Sequence, residues 1–186
     1  MKNYITEFIG TFFLVITIGL TADPIAIGTM LMVMVYMGGH ISGAHYNPAV
    51  SIAMILRGLL TTKEAFKYIL SQLAGAFLAA IVVNWLSGAI MQVAPSNTAS
   101  VLQIISVEAI FTFALVLVIL NVATNPTTEG NSYYGLAIGF TVMAGAFSGG
   151  DISGGAYNPA VGIGPILVDL IMGDGNTFPN LWYYLF

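Results

Sequence analysis

The sequence predicts an all-α membrane protein in which two copies of one unit are inserted with opposite topologies, each carrying a short helix that enters the bilayer without crossing it. Three observations support this: a composition suited to hydrocarbon, five apolar segments of spanning length, and an internal duplication centred on Asn-Pro-Ala. Of 186 residues, 58% are hydrophobic and 6% charged, whereas roughly a quarter are charged in an ordinary soluble domain. Such a surface is built for lipid.

A helix that crosses a hydrocarbon core of about 30 Å needs some 17 to 25 mostly apolar residues. The segments Tyr4 to Ala22, Pro24 to Gly39, Glu64 to Ser87, Val101 to Ala123 and Tyr133 to Phe147 fit this description. The second and fifth are short. Each leads through a Gly-rich stretch into a briefer apolar segment, Pro48 to Leu56 and Pro159 to Ile171, and neither of these is long enough to cross alone. The amino-terminal run from Phe8 to Leu20 behind Lys2 has the outline of a secretory signal. It carries Glu7, however, and has a copy later in the chain, so it reads as a span.

The duplication is direct. GGHISGAHYNPAVSI (Gly38 to Ile52) and GGDISGGAYNPAVGI (Gly149 to Ile163) differ only at His40/Asp151, Ala44/Gly155, His45/Ala156 and Ser51/Gly162. Upstream, Glu7 to Val15 (EFIGTFFLV) echoes Glu108 to Val116 (EAIFTFALV). A single channel domain, 1–186, thus divides into a first repeat, 1–90, and a second, 101–186, each in the order span, span, half-helix, span. Three crossings per repeat is an odd number, so the second copy enters from the opposite side and the two half-helices approach each other around an in-plane two-fold axis.

The charges set the orientation. Lys2 precedes the first span, and Arg57, Lys63 and Lys67 lie between the first half-helix and the third span, on the same side by this topology. Asp23, Asp151, Asp169 and Asp174 fall on the other side. Basic residues in short loops concentrate in the cytoplasm, which places the amino terminus there. With four basic and eight acidic residues in all, there is no basic patch for nucleic acid. The absence of cysteine and the isolation of the two histidines argue against a metal site. No nucleophile, base and orienter stand together as an enzyme requires, and no cofactor is implied.

A helix beginning inside the membrane leaves up to four backbone amides without partners, so its start must be capped or line a wet cavity. Pro48 and Pro159 suit that position because proline fixes φ and lacks an amide hydrogen; Ala49 and Ala160 allow close approach. With both half-helices starting near the midplane, Asn47 and Asn158 can aim their side-chain NH2 groups into a shared channel, while carbonyls of the Gly-rich stretches supply acceptors. An oxygen held from both sides cannot relay a proton along the file. The positive ends of two helix dipoles, about half an electron each, oppose cations at the same point.

These motifs resemble the major intrinsic protein family (aquaporins and aquaglyceroporins), and MVMVYMGGHISGAHYNPAV (Met32 to Val50) looks most like its bacterial and nodulin-like branches. The resemblance implies a passive channel for water or small neutral solutes such as glycerol, in a plasma or bacterial inner membrane, as a homotetramer. It also implies that Glu7 and Glu108 are buried carboxylates bracing the half-helix loops. His40 and His45 are expected to brace the first loop, while Tyr46 and Tyr157 can be explained by packing. The family's filter includes an Arg directly after the second Asn-Pro-Ala; here that residue is Val161. The other filter positions fall at Ile27, Ala146 and Gly155, making a small, apolar ring without a forked donor. Such a ring is expected to be wider and less selective for water.

Two further expectations concern the carboxyl-terminal segment and the competing function. Residues 178–186 begin a sixth span, and Leu181 to Phe186 would rise only about 9 Å as a helix, so that span reads as truncated. An ion-coupled transporter is the nearest alternative, because inverted repeats with broken helices also build carriers; a non-conducting structural member is another.

Overall fold

The computed structural model describes residues 1–185; Phe186, within the segment read as the start of the sixth span, lies outside the described residues. Five long helices, α1 (Lys2–Thr21), α2 (Pro24–Ser42), α4 (Thr62–Ser87), α5 (Val101–Ala123) and α6 (Tyr134–Ser153), surround two short ones, α3 (Pro48–Leu56) and α7 (Pro159–Met172). All five long helices are long and apolar enough to cross a membrane. Phe13, Trp85, Leu102, Ile110, Phe113 and Phe140 are exposed on the bundle. An outward face of this kind suits lipid tails, since the backbone polar groups are satisfied within each helix.

The helix starts follow local chemistry. Asp23 accepts from the amides of Ile25 and Ala26 at the start of α2, with Pro24 in the first turn. Thr61 caps α4, and Ser100 with Gln103 forms a reciprocal capping box on α5.

The ends of α2 and α6 correct the sequence reading. They run through Ser42 and Ser153, not Gly39 and Phe147, so Gly-rich stretches expected as loops are the last helical turns. Glycine in a helix costs about 1 kcal/mol relative to alanine, but here the following serines are tied down by hydrogen bonds to buried carboxylates. The helices stop where the backbone turns left-handed, at Gly43 (φ 86°) and Gly154 (φ 90°). A second difference concerns Phe178–Tyr184, which is a 3₁₀ helix and not the first turns of an α-helix. The Phe178 and Asn180 amides donate three residues back, to the Gly175 and Thr177 carbonyls, which is the i→i−3 spacing of that tighter helix.

In the first half, α1 packs against α2 and α4; in the second, α5 packs against α6. The halves join where α2 meets α6 and α4 meets α7. At the α2–α6 crossing a side chain on Gly28 would come within 2.6 Å of the Gly139 carbonyl oxygen, and one on Gly139 would strike the Gly28 carbonyl. Only glycine on both sides permits this approach, and lost apolar driving force in lipid makes such close backbone packing the main adhesive. Between the halves, residues 88–100 form no helix, yet Met91 and Val93 are buried. The segment is fastened to the end of α6 by the Ser96 amide, which donates to the Ile152 carbonyl at 3.0 Å.

Candidate functional site

The two short helices begin with the same cap. Asn47 and Asn158 are extended, and each side-chain Oδ1 accepts from the amide two residues ahead, Ala49 at 2.8 Å and Ala160 at 3.0 Å. Pro48 and Pro159 occupy the first helical turn. The other end of each side chain crosses to the opposite half. Asn47 Nδ2 donates to the Tyr157 carbonyl at 2.9 Å, and Asn158 Nδ2 donates to the Tyr46 carbonyl at 2.8 Å. An amide nitrogen has two hydrogens, so each asparagine spends one on the clasp and keeps one for the lumen.

Tyr46 and Tyr157 make this possible by their backbones. Both are left-handed, φ 49° and 47°, a conformation that costs a non-glycine residue on the order of 1 kcal/mol or more. Surrounding bonds hold them there. The hydroxyl of Tyr46 donates to the Met34 carbonyl and that of Tyr157 to the Gly145 carbonyl. Their amides donate to carboxylates.

Those carboxylates are Glu7 on α1 and Glu108 on α5, both buried. Glu7 accepts from the Ser42 hydroxyl (2.6 Å), the His45 and Tyr46 amides (3.0 and 2.7 Å) and Gln72 Nε2 (2.8 Å). Glu108 accepts from the Ser153 hydroxyl (2.6 Å) and the Ala156 and Tyr157 amides (3.2 and 2.7 Å). Each carboxylate thereby takes up the amide hydrogens of one loop. The carbonyls of Ala44, His45, Gly155 and Ala156 accept no bond among the described residues, and all four residues line the central cavity. A matching pair of hydroxyls closes each loop from behind, with Tyr68 donating to the Ser42 carbonyl and Tyr184 to that of Ser153.

The two histidines separate. His45 Nδ1 lies 3.1 Å from Ser51 Oγ, its ring packs against Tyr68, and it lines the cavity. His40 is exposed on the last turn of α2 and makes no side-chain hydrogen bond among the described residues, so it does not brace the loop.

A cavity of about 590 Å³ runs past both asparagines and is also lined by Ile27, Ala146, Gly155 and Val161. A second, of about 510 Å³, is lined from Leu59 and the α5–α6 connection, including Asn125, Glu129 and Asn131. Their linings share Val35, Ala44, Ile119 and Ile138, so the two adjoin. Sequence reasoning missed several parts of this site. Ser42 and Ser153 lie inside the duplicated motif and were open to recognition there. Gln72 is a lone amide in an apolar span, itself a signal. Tyr68 and Tyr184 gave none.

A family model described as Major intrinsic protein matches residues 1–186. Aquaporin NIP1-1 of Zea mays is 35% identical over 201 residues, covering 100% of this chain and 69% of the relative. Glycerol uptake facilitator protein-like 6 of Lactiplantibacillus plantarum is 33% identical over 201 residues, covering 100% and 90%. The X-ray structure of the aquaglyceroporin from Plasmodium falciparum superposes with a TM-score of 0.86 at 25% identity, covering 99% of this chain and 88% of that one. With the paired caps and carboxylate-braced loops, these likenesses establish that the chain belongs to the major intrinsic protein family.

Proposed function

We propose that the chain is a passive membrane channel for water and small neutral solutes such as glycerol, with protons and cations excluded at Asn47 and Asn158. The observation that carries this reading is the pair of adjoining cavities, the larger of which is lined by both asparagines. The lining combines apolar side chains, among them Leu14, Ile27, Leu31, Leu115 and Ile138, with the loop residues whose carbonyls are unpaired and the two asparagines. A polyol can lay its carbons on the apolar part of this lining and its hydroxyls on the polar part. Relatives named as aquaporins and as a glycerol uptake facilitator support the same class.

In this reading α3 and α7 are re-entrant half-helices, the amino terminus is cytoplasmic, and the chain works in a cell membrane as a homotetramer with one pore per copy. Ile27, Ala146, Gly155 and Val161 form the filter. No catalytic step is involved. The three buried carboxylates, Glu7, Glu108 and Asp169, each accept hydrogen bonds from neighbouring donors, which disfavours their use as a driving-ion site in a coupled carrier.

Swelling of proteoliposomes under osmotic gradients tests the proposal. Rapid water and glycerol flux, with weak temperature dependence and no need for Na⁺ or a proton gradient, is the expected result. Saturable uptake that requires either ion would overturn it.

A further inference from the structure

The segments that close the two loops from behind match in layout. Thr61 opens α4, and Tyr68, seven residues on, donates its hydroxyl to the Ser42 carbonyl at 2.9 Å. Thr177 opens the 3₁₀ helix, and Tyr184, again seven residues on, donates to the Ser153 carbonyl at 2.7 Å. What differs is the tether. Thr61 is exposed, and its hydroxyl turns forward onto the Glu64 carboxylate while capping the Glu64 amide. Thr177 is buried and caps nothing; its amide and hydroxyl both donate backwards to one oxygen, Asp169 Oδ2, at 2.8 and 2.6 Å.

This tether belongs to one half only. α7 has 14 residues and α3 has 9, and the position matching Asp169, counted from the asparagines, is Gly58, beyond the end of α3. Asp169 is 1% exposed, and its backbone carbonyl accepts from the Gly173 and Gly175 amides, so the turn leading to Thr177 folds back onto it. Downstream, the Tyr184 hydroxyl lies 2.8 Å from where a Cβ on Gly154 would stand. Gly154 and Gly155 are both left-handed, and Gly155 belongs to the proposed filter.

We propose that Asp169 is a positioning residue for the filter: by holding Thr177 it seats Tyr184 on the Ser153 carbonyl and fixes the Gly154-Gly155 turn. The inference rests on the channel reading above. In the first half the tyrosine rides on a helix of 26 residues packed along α1. In the second it rides on a 3₁₀ helix of 7 residues, whose hydrogen bonds have poorer geometry. The carboxylate supplies the missing anchorage, since a hydrogen bond to a charged group is about twice as strong as a neutral one. Two consecutive glycines have wide backbone freedom, so the turn they form loses its shape when the Ser153 carbonyl is released. A polyol needs several acceptors in register and is hurt more than water by that loss of preorganisation.

The test compares wild-type chain with Asp169→Ala, Thr177→Val, Thr177→Ser, Tyr184→Phe and Asp169→Ala/Tyr184→Phe in proteoliposomes, reading the ratio of glycerol to water permeability. The ratio is expected to fall on the order of fivefold in Asp169→Ala and in Tyr184→Phe, as loss of a buried hydrogen bond implies. Thr177→Val, which keeps the amide bond, should fall less, and Thr177→Ser should match wild type. The double variant should be no worse than the lower single, because both changes break one chain of contacts. Should Asp169→Ala fail to fold, the Thr177→Val and Thr177→Ser pair decides. An unchanged ratio in Thr177→Val and in any folded Asp169→Ala, or losses that multiply in the double variant, would overturn the positioning role and leave the channel standing. A wild type that passes neither water nor glycerol would overturn the channel reading and this role with it.

Discussion

The side-chain amide of Asn47 donates to the backbone carbonyl of Tyr157, 110 positions away in the other half of the chain, at 2.9 Å. Its counterpart, Asn158 to Tyr46, completes a reciprocal clasp. Each asparagine therefore performs two jobs through different atoms: Oδ1 starts its own helix and Nδ2 secures the opposite loop. Replacing Asn158 with Leu removes the cap and strands the buried Tyr46 carbonyl, each at about 1 to 2 kcal/mol. Asn158→Leu and Asn47→Leu are expected to melt earlier in detergent and to lose most water flux. A variant that melts and conducts like wild type would show the clasp to be dispensable.

The two braced loops differ in one donor. Glu7 holds Gln72 as well as a serine and two amides, whereas Glu108 holds only the serine and two amides among the described residues. Glu→Gln at either site replaces an acceptor oxygen with an NH2 group that faces donors. The loss is on the order of 3 kcal/mol, because charged hydrogen bonds are broken and buried amides are left unpaired. Thermal unfolding in detergent should place Glu7→Gln below Glu108→Gln. The companion substitution Gln72→Leu should narrow that gap.

At the proposed filter, Val161 occupies the first turn of α7 and is buried at 3% exposure. An Arg there brings a planar cation with five donors into a ring that has no side-chain donor of its own. Val161→Arg is expected to lower glycerol flux several-fold relative to water in vesicle swelling, since a bulkier, donor-rich ring fits water better than a carbon chain. Equal glycerol-to-water ratios in the two forms would remove Val161 from the filter.

Much of this architecture was legible in the sequence, because span length and the duplicated Asn-Pro-Ala are local and repeated signals. Asn47, Asn158, Glu7 and Glu108 could be picked out for that reason. The boundaries of α2 and α6 were not legible: Gly38-Gly39 and Gly149-Gly150 look like stops, and only the Ser42 and Ser153 hydroxyl bonds explain why the helices continue past them. The roles of Tyr46 and Tyr157 were hidden for a different reason. What they contribute is a carbonyl aimed by a left-handed backbone, which no side-chain pattern reveals. His40 and His45 sit in one motif, yet a helical turn and a loop send them to different environments.

The most informative difference between the repeats is Ser51 against Gly162. Ser51 is fully buried; its oxygen accepts from Gln72 Nε2 at 3.0 Å and lies 3.1 Å from His45 Nδ1, so it knits α3 to α4 and to the loop. At Gly162 an added Cβ would run into the Cβ of Tyr184 and lie 2.7 Å from its ring. The duplicated helices have thus diverged to suit what packs behind them, an amide in one half and a tyrosine in the other. Exchanging the residues should harm both halves by different mechanisms. Ser51→Gly loses the three hydrogen bonds of the hydroxyl, with Gln72, His45 and the Asn47 carbonyl, and leaves Gln72 underused, at about 2 kcal/mol. Gly162→Ser overpacks a closed contact, at about 1 to 3 kcal/mol, and pushes on the tyrosine whose hydroxyl holds the Ser153 carbonyl at 2.7 Å. Detergent melting reads both losses, and Tyr184→Gly separates them: it should relieve Gly162→Ser, because it removes the Cβ as well as the ring that the serine meets, and leave the cost of Ser51→Gly unchanged. A Gly162→Ser penalty that persists in the Tyr184→Gly background would show that the glycine is required for something other than this contact.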